Sequence, residues 1–193
     1  MFVRNMFQTE ADINKTKLNF SFSRHADMNQ NIEAIKPLTL QNSKSCLVTD
    51  VLPQFLSGDQ MRFTQVLINL IKNSMKFCTK RGDSIHVISA FEHNTMTVAV
   101  IDTGKGIQAH EKKKLFHLFG KLKSTADMNQ QGSGMGLLIC KRLVEANHGT
   151  IEIHSDGKDK GCTIRFTMRM HEPTTEQIEQ ARNVDLRDDE SLM

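Results

Sequence analysis

The run VLINLIKNSMKF, Val66 to Phe77, narrows what this chain can fold into. It begins as an apolar helix that must be buried, yet Asn69 and Asn73 interrupt it and Lys76 follows. Asn is a poor helix-interior residue, because its amide competes for backbone hydrogen bonds. A buried amide left without a partner costs about 1–3 kcal/mol. Arg62, Gln65, Asn69, Asn73 and Lys76 are spaced three, four, four and three apart, which lines them along one helical stripe. Phe63, Val66, Leu67, Leu70, Ile71 and Phe77 cover the other sides. The stripe faces either solvent, as on many amphipathic helices, or an internal cleft. Two amides and a lysine, in place of Glu/Lys pairs, weaken the solvent alternative. In a cleft, an Asn carbonyl oxygen can ligate Mg²⁺, its amide can donate to phosphate, and Lys76 can add a point charge.

Two glycine-bearing segments add to this. Asp102-Thr103-Gly104-Lys105-Gly106-Ile107 follows the apolar stretch TMTVAVI. An Asp at a strand end can accept from an exocyclic amine, and glycines two apart let the backbone approach a flat ring. By itself this is equally an ordinary strand-to-helix turn. Gly132-Ser133-Gly134-Met135-Gly136-Leu137 opens the helical pattern MGLLICKRLVEA. A helix N-terminus with freed backbone is an anion site. A polar loop precedes it where a dinucleotide-binding fingerprint needs a strand, and no Gly-Lys-Ser/Thr follows, so neither common phosphate loop fits.

The surrounding pattern predicts an α+β two-layer sandwich, a mixed or antiparallel sheet covered on one face by helices. Asp59 is a good N-cap for the Asn-bearing helix. Ser84–Phe91 and Thr95–Asp102 alternate like strands joined at Glu92-His93-Asn94. His110–Phe119 reads as a short helix, 120–134 as a polar, mobile loop, and Met135–Ala146 as a helix ending near Gly149. Thr150–Ser155 and Cys162–Met170 read as strands about the turn DGKDKG. Earlier in the chain, Met28–Leu40 suits a short helix limited by Pro37, and Ser45–Val51 a strand. Residues 1–24 read as a polar lead or helix stub. Residues 172–193 read as an acidic, disordered tail.

Composition removes several function classes. Net charge is only +3, so no bulk attraction to nucleic acid is expected. Glu172 to Met193 holds seven acids and two bases, which leaves the tail near −5 and the body near +8. A basic body suits a polyphosphate, although a Lys-rich solvated surface accounts for the charge equally well. The four cysteines stand singly, without metal or redox spacing, so free thiols and a cytoplasmic setting are expected. No apolar run is long enough for a membrane span.

Taken together, GDQMRFTQVLINLIKNSMKF, VIDTGKGI, LFHLFGKL, GSGMGLLICKRLVEANHGTIEIHS and GCTIRFTM resemble, in order and spacing, the N, G1, F and G2 boxes and closing strand of the catalytic ATP-binding domain of sensor histidine kinases. That domain has the Bergerat fold shared with gyrase-type, mismatch-repair and heat-shock chaperone ATPases, the GHKL group. The likeness runs from about Phe22 to Met170, and residues 25–171 would be the ATPase domain. It implies Mg-ATP as ligand, with Asn73 holding Mg²⁺ and Asn69 supporting the triphosphate. Lys76 would touch phosphate, and Phe77 would lie beside the adenine. Asp102 would accept from the adenine amine, with Gly104, Gly106 and Ile107 lining the base pocket. Gly132, Gly134, Met135, Gly136 and Leu137 would wrap the phosphates. Residues 120–131 would form a lid anchored by Phe116 and Phe119, with Lys121 and Lys123 reaching the γ-phosphate. Thr163 would sit on the pocket floor.

The sequence departs from the family in two ways. Ser74 stands where Ala is usual and Met135 where Leu is usual, and both near-isosteric changes should be tolerated. The phosphoacceptor pattern H-E-x-R-T-P is absent. The chain therefore reads as a monomeric kinase module in a two-component phosphorelay. Its γ-phosphate would go to a histidine on a dimerisation domain or phosphotransfer partner, or on a missing segment for which residues 1–24 are the trailing linker. The alternative is a regulatory ATP-binding module, or pseudokinase, with little turnover.

Overall fold

The computed structural model describes residues 17–22, 28, 56–80, 82–112, 115 and 135–179. In chain order these form β1 (Lys17–Phe22), α1 (Gln60–Phe77), β2 (Ser84–Glu92), β3 (Thr95–Asp102), the single turn α2 (Ala109–Lys112), α3 (Gly136–Ala146), β4 (Ile151–His154) and β5 (Cys162–Arg169). The strands make one mixed sheet in the order β1-β2-β3-β5-β4. Only the β1–β2 pair is parallel; the others are antiparallel.

Period-two alternation sorts the strands into two faces. Ile85 and Val87 of β2, Met96, Val98 and Val100 of β3, and Cys162, Ile164, Phe166 and Met168 of β5 pack into one core. Onto that face α1 brings Val66, Leu67, Leu70, Ile71 and Met75, and α3 brings Cys140 and Val144. The Phe63 and Phe166 rings meet at 5.8 Å in a tilted pair, a favoured aromatic geometry. The two-layer sandwich expected from the sequence is the observed architecture. The second sheet face is not bare: Ile88, Ala90, Ala99 and Ile101 form a smaller cluster with Met28, which is helical.

Local signals explain the boundaries. Asp59 caps α1 by accepting from Arg62 N at 3.0 Å, as its position predicts. The β2–β3 hairpin closes through His93 and Asn94, both left-handed at φ 49° and 57°. That is the type I′ geometry which matches strand twist, and it lets β2 run on through Glu92. After α3, His148 is left-handed at φ 55° and Gly149 N donates to Val144 O at 2.9 Å, a helix stop of the expected kind. Ser57 and His171 exchange backbone hydrogen bonds of 2.8 Å, tying the approach to α1 to the exit from β5.

Two expectations are corrected. Residues 17–22, read as part of a polar lead, form a sheet strand; their sequence, KLNFSF, carries the alternation that marks a strand. Residues 175–179, read as disordered, are helical. Thr174 and Gln177 exchange backbone-to-side-chain bonds of 3.0 and 3.3 Å, a capping box that starts a helix without a core to bury. The predicted strand 45–51, the 28–40 helix beyond Met28, most of 110–119 and the loop 120–134 lie outside the described residues. Among the described residues no helix is long and apolar enough to cross a membrane.

Phe166 is fully buried between the sheet and α1. Phe166→Ala should lower stability by about 3–5 kcal/mol, read as a fall in the urea midpoint with an unchanged slope.

Candidate functional site

The polar stripe of α1 runs from solvent toward the start of α3. Arg62 and Gln65 are exposed, whereas Asn69, Asn73, Lys76 and Phe77 are half-buried. Both carboxamides converge on the start of α3. A β-carbon at Gly136 would lie 3.6 Å from Asn69 Oδ1 and 4.0 Å from Asn73 Nδ2. Neither Asn side chain has a hydrogen-bond partner among the described residues. The amides therefore lie where α1 meets the start of α3. Lys76 Nζ lies 5.7 Å from the Phe77 ring centroid, within cation–π range. Met135 is exposed as the N-terminal flank of α3, and Leu137 packs partly against the core.

The second wall is the turn after β3. Asp102 is the last residue of that strand and is 7% exposed. Its Oδ1 accepts from Gly104 N at 2.9 Å, and its Oδ2 accepts from the Ser74 hydroxyl at 3.2 Å. Burial pushes its carboxyl up to about 6, and nearby Asp83 pushes the same way. The Gly104 and Cys162 backbone and the Ser74 hydroxyl pull it down. Burial wins, so the acid stands closer to neutral pH than a surface carboxylate.

Close approach explains both glycines of this turn. A β-carbon at Gly104 would lie 2.5 Å from Phe77 O, so the turn lies against the end of α1. Gly106 is left-handed at φ 62°, and a β-carbon there would lie 2.0 Å from Gly157 O. Ile107 is buried, and its N donates to Ser155 Oγ at 2.9 Å. Ser155 Oγ in turn donates to Gly161 O at 2.7 Å. Gly161 N donates to Gly104 O, and Asp159 N to Lys105 O. The 157–161 turn therefore backs the 104–107 turn along its length. An exposed Lys80–Asp159 ion pair of 2.9 Å spans the same junction, where solvent leaves it little weight.

Of the residues expected at the site, the structure places Asn69 and Asn73 beside Gly136, Lys76 beside Phe77, and Gly104 against Phe77 and Asp102. Thr163 is the exception. In the β3–β5 register it sits opposite Ile101, while Cys162 sits opposite Asp102. Paired residues share a face, so Thr163 points with Ile101 away from the helices, and Cys162 occupies the place expected of it. Phe116, Phe119, Lys121, Lys123, Gly132 and Gly134 lie outside the described residues. Sequence reasoning missed Ser155, Cys162 and the part played by Ser74. Only Ser74 carried a signal, as a departure from the Ala usual in the family it resembles.

The geometry thus comprises a buried acid at a strand end, a glycine turn beside it and paired carboxamides facing a helix start. The profile of the family described as histidine kinase-, DNA gyrase B- and HSP90-like ATPase matches residues 58–172. That is more than half of the 193 residues, and the chain belongs to this family. Similar solved structures include the nucleotide-free catalytic domain of histidine kinase ThkA, at 21% identity and TM-score 0.62 over 86% of this chain and 87% of that one. Full-length ShkA in complex with AMPPNP matches at 18% identity and TM-score 0.64, over 90% of this chain and 29% of that one. The mycobacterial sensor histidine kinase MprB matches at 16% identity and TM-score 0.58, over 87% and 91%. These likenesses show the fold.

The buried acid carries a measurable cost. Because burial raises the Asp102 carboxyl from its ordinary 3.8 to about 6, the folded state holds more protons than the unfolded chain between those values. Stability therefore falls as pH rises through that window and stays lower above it. Asp102→Asn, which can still accept from Gly104 N, should raise the stability of the nucleotide-free protein at pH 7.5 by on the order of 1–3 kcal/mol. The gain should shrink toward pH 4, where Asp102 is already neutral in the folded protein; paired urea melts at the two pH values check this.

Proposed function

We propose that this chain is the Mg-ATP-binding catalytic domain of a histidine kinase, acting in a two-component phosphorelay. The observation that carries the reading is the convergence of Asn69 and Asn73 on Gly136, beside a buried acid that terminates β3. The kinase branch, rather than the gyrase or chaperone branch, is supported by the Arg/Gln pattern before Asn69 and the Lys-Phe after Asn73. The similar ShkA structure holds AMPPNP, and MprB is a sensor histidine kinase.

In this reading Asp102 accepts from the adenine amine, while Gly104, Gly106 and Ile107 line the base and Phe77 flanks it. The start of α3, with Met135, Gly136 and Leu137, lies against the phosphates, where a helix N-terminus favours an anion. The donor chemistry suits magnesium: Asn73 offers the neutral hard oxygen that Mg²⁺ accepts alongside phosphate. When bound, the ion offsets phosphate charge and fixes the phosphoryl group for in-line attack.

The chain's own contribution is positioning and charge. Lys76 and Lys123 neutralise phosphate oxygens as negative charge shifts to the leaving ADP. A partner's histidine supplies the attacking imidazole nitrogen. The N–P bond forms as the bond between the γ-phosphorus and the β,γ-bridging oxygen breaks. Such transfer depends on orientation more than on covalent chemistry by the enzyme.

Titration with a fluorescent ATP analogue should give micromolar-to-millimolar binding. Asp102→Asn should weaken it about 10–100-fold, the loss expected for one hydrogen bond to a charged group. Asn73→Asp should weaken or abolish Mg-dependent binding. Equal binding by all three proteins would refute the assignment. Because the phosphoacceptor pattern is missing from these residues, the isolated chain incubated with γ-labelled ATP should gain no acid-labile label. Adding a histidine-bearing partner should produce it, and a partner left unlabelled by a chain that binds ATP would favour the regulatory module.

A further inference from the structure

Ser74 is 3% exposed and lies one residue beyond Asn73 on α1. Its carbonyl accepts from Cys78 N at 2.9 Å in closing the helix. Its hydroxyl does something else: it donates to Asp102 Oδ2 at 3.2 Å, across 28 residues of sequence. Serine is a weaker helix former than alanine and competes with the backbone, so helix formation does not explain it. Resting on the nucleotide reading above, we infer that Ser74 is a positioning residue for purine selectivity, holding the Asp102 carboxylate as an acceptor so that the pocket takes a 6-amino purine and rejects a 6-oxo purine.

The chemistry follows from the donor and acceptor inventory. An ionised carboxylate only accepts, whereas a protonated one also donates. Adenine presents an amine at position 6 and is met by the charged form. Guanine presents a carbonyl there, which the charged form repels and the neutral form can bond. Selectivity therefore depends on which form the site favours. Burial and Asp83 push Asp102 toward the neutral form, while the Gly104 and Cys162 backbone and the Ser74 hydroxyl hold it charged. The Cys78 thiol, at the end of α1, is itself pushed up by burial and by Asp102 and adds no charge. Of the groups favouring the charged form, only Ser74 acts through a side chain and can be removed by mutation. It also fixes which way the carboxylate is turned.

The test measures ATP and GTP affinity of the full chain from pH 5.5 to 8.5, for wild type, Ser74→Ala and Ser74→Thr. Wild type should prefer ATP above pH 7 and lose that preference as Asp102 protonates near 6. Ser74→Ala should move that midpoint upward and cut the ATP-to-GTP preference at pH 7 by about tenfold, the scale of one charge-assisted hydrogen bond. Ser74→Thr, which keeps the hydroxyl, should restore both. An ATP-selective wild type whose midpoint and preference are unchanged in Ser74→Ala overturns the role of Ser74 and leaves the ATP site intact. Failure of wild type to bind either purine overturns the nucleotide reading and this inference with it.

Discussion

A carboxylate held out of water at the end of β3 is the constraint around which the rest is arranged. Asp102 is anchored by a backbone amide two residues ahead and by a hydroxyl from a helix 28 residues behind. Satisfying it requires the glycine turn to fold back under it and α1 to lie close above it. The close contact of Gly104 with Phe77 O is the steric record of that requirement. In the proposed reading, base recognition and fold closure are thus properties of the same few atoms. Under the proposed function, a group that burdens the empty protein is one a ligand can use, a common trade at functional sites.

The helix that supplies the hydroxyl has two further tasks. Its apolar side fills the main core with Leu70, Ile71 and Val66, all fully buried. Its polar stripe delivers two carboxamides to the start of α3. One helix therefore fixes the distance between the Asp102 end and the Gly136 end of this region. The Cys140 thiol against Val66 O and the Phe63–Phe166 ring pair hold it to α3 and to the sheet. A shift of α1 would misplace both ends together.

Much of this was legible in the sequence because it is periodic. The Asn69/Asn73 spacing defines a helical face, and the alternation of 84–91 and 95–102 defines two strands, irrespective of tertiary contacts. What escaped was set by pairing across the chain. Thr163 and Cys162 are adjacent in sequence, and only the register of β5 against β3 decides which one stands beside Asp102. Ser74 looked like a tolerated near-isostere because its partner is distant in sequence. The strand at 17–22 showed the right alternation but lay in a polar stretch, where six residues are a weak signal without the neighbouring β2. The helical turn at 175–179 rests on a local capping box, which outweighed the absence of a core.

The hairpin between β2 and β3 has a separate consequence. His93 and Asn94 stand at the far end of the strand that finishes in Asp102, eight residues away and so roughly 25 Å distant at the usual rise of a strand. Both are exposed. The sheet thus keeps its buried acid at one rim and a tight, solvent-facing bend at the other. That bend is where a dye, an affinity handle or an inserted peptide can be carried with the least disturbance to the cleft.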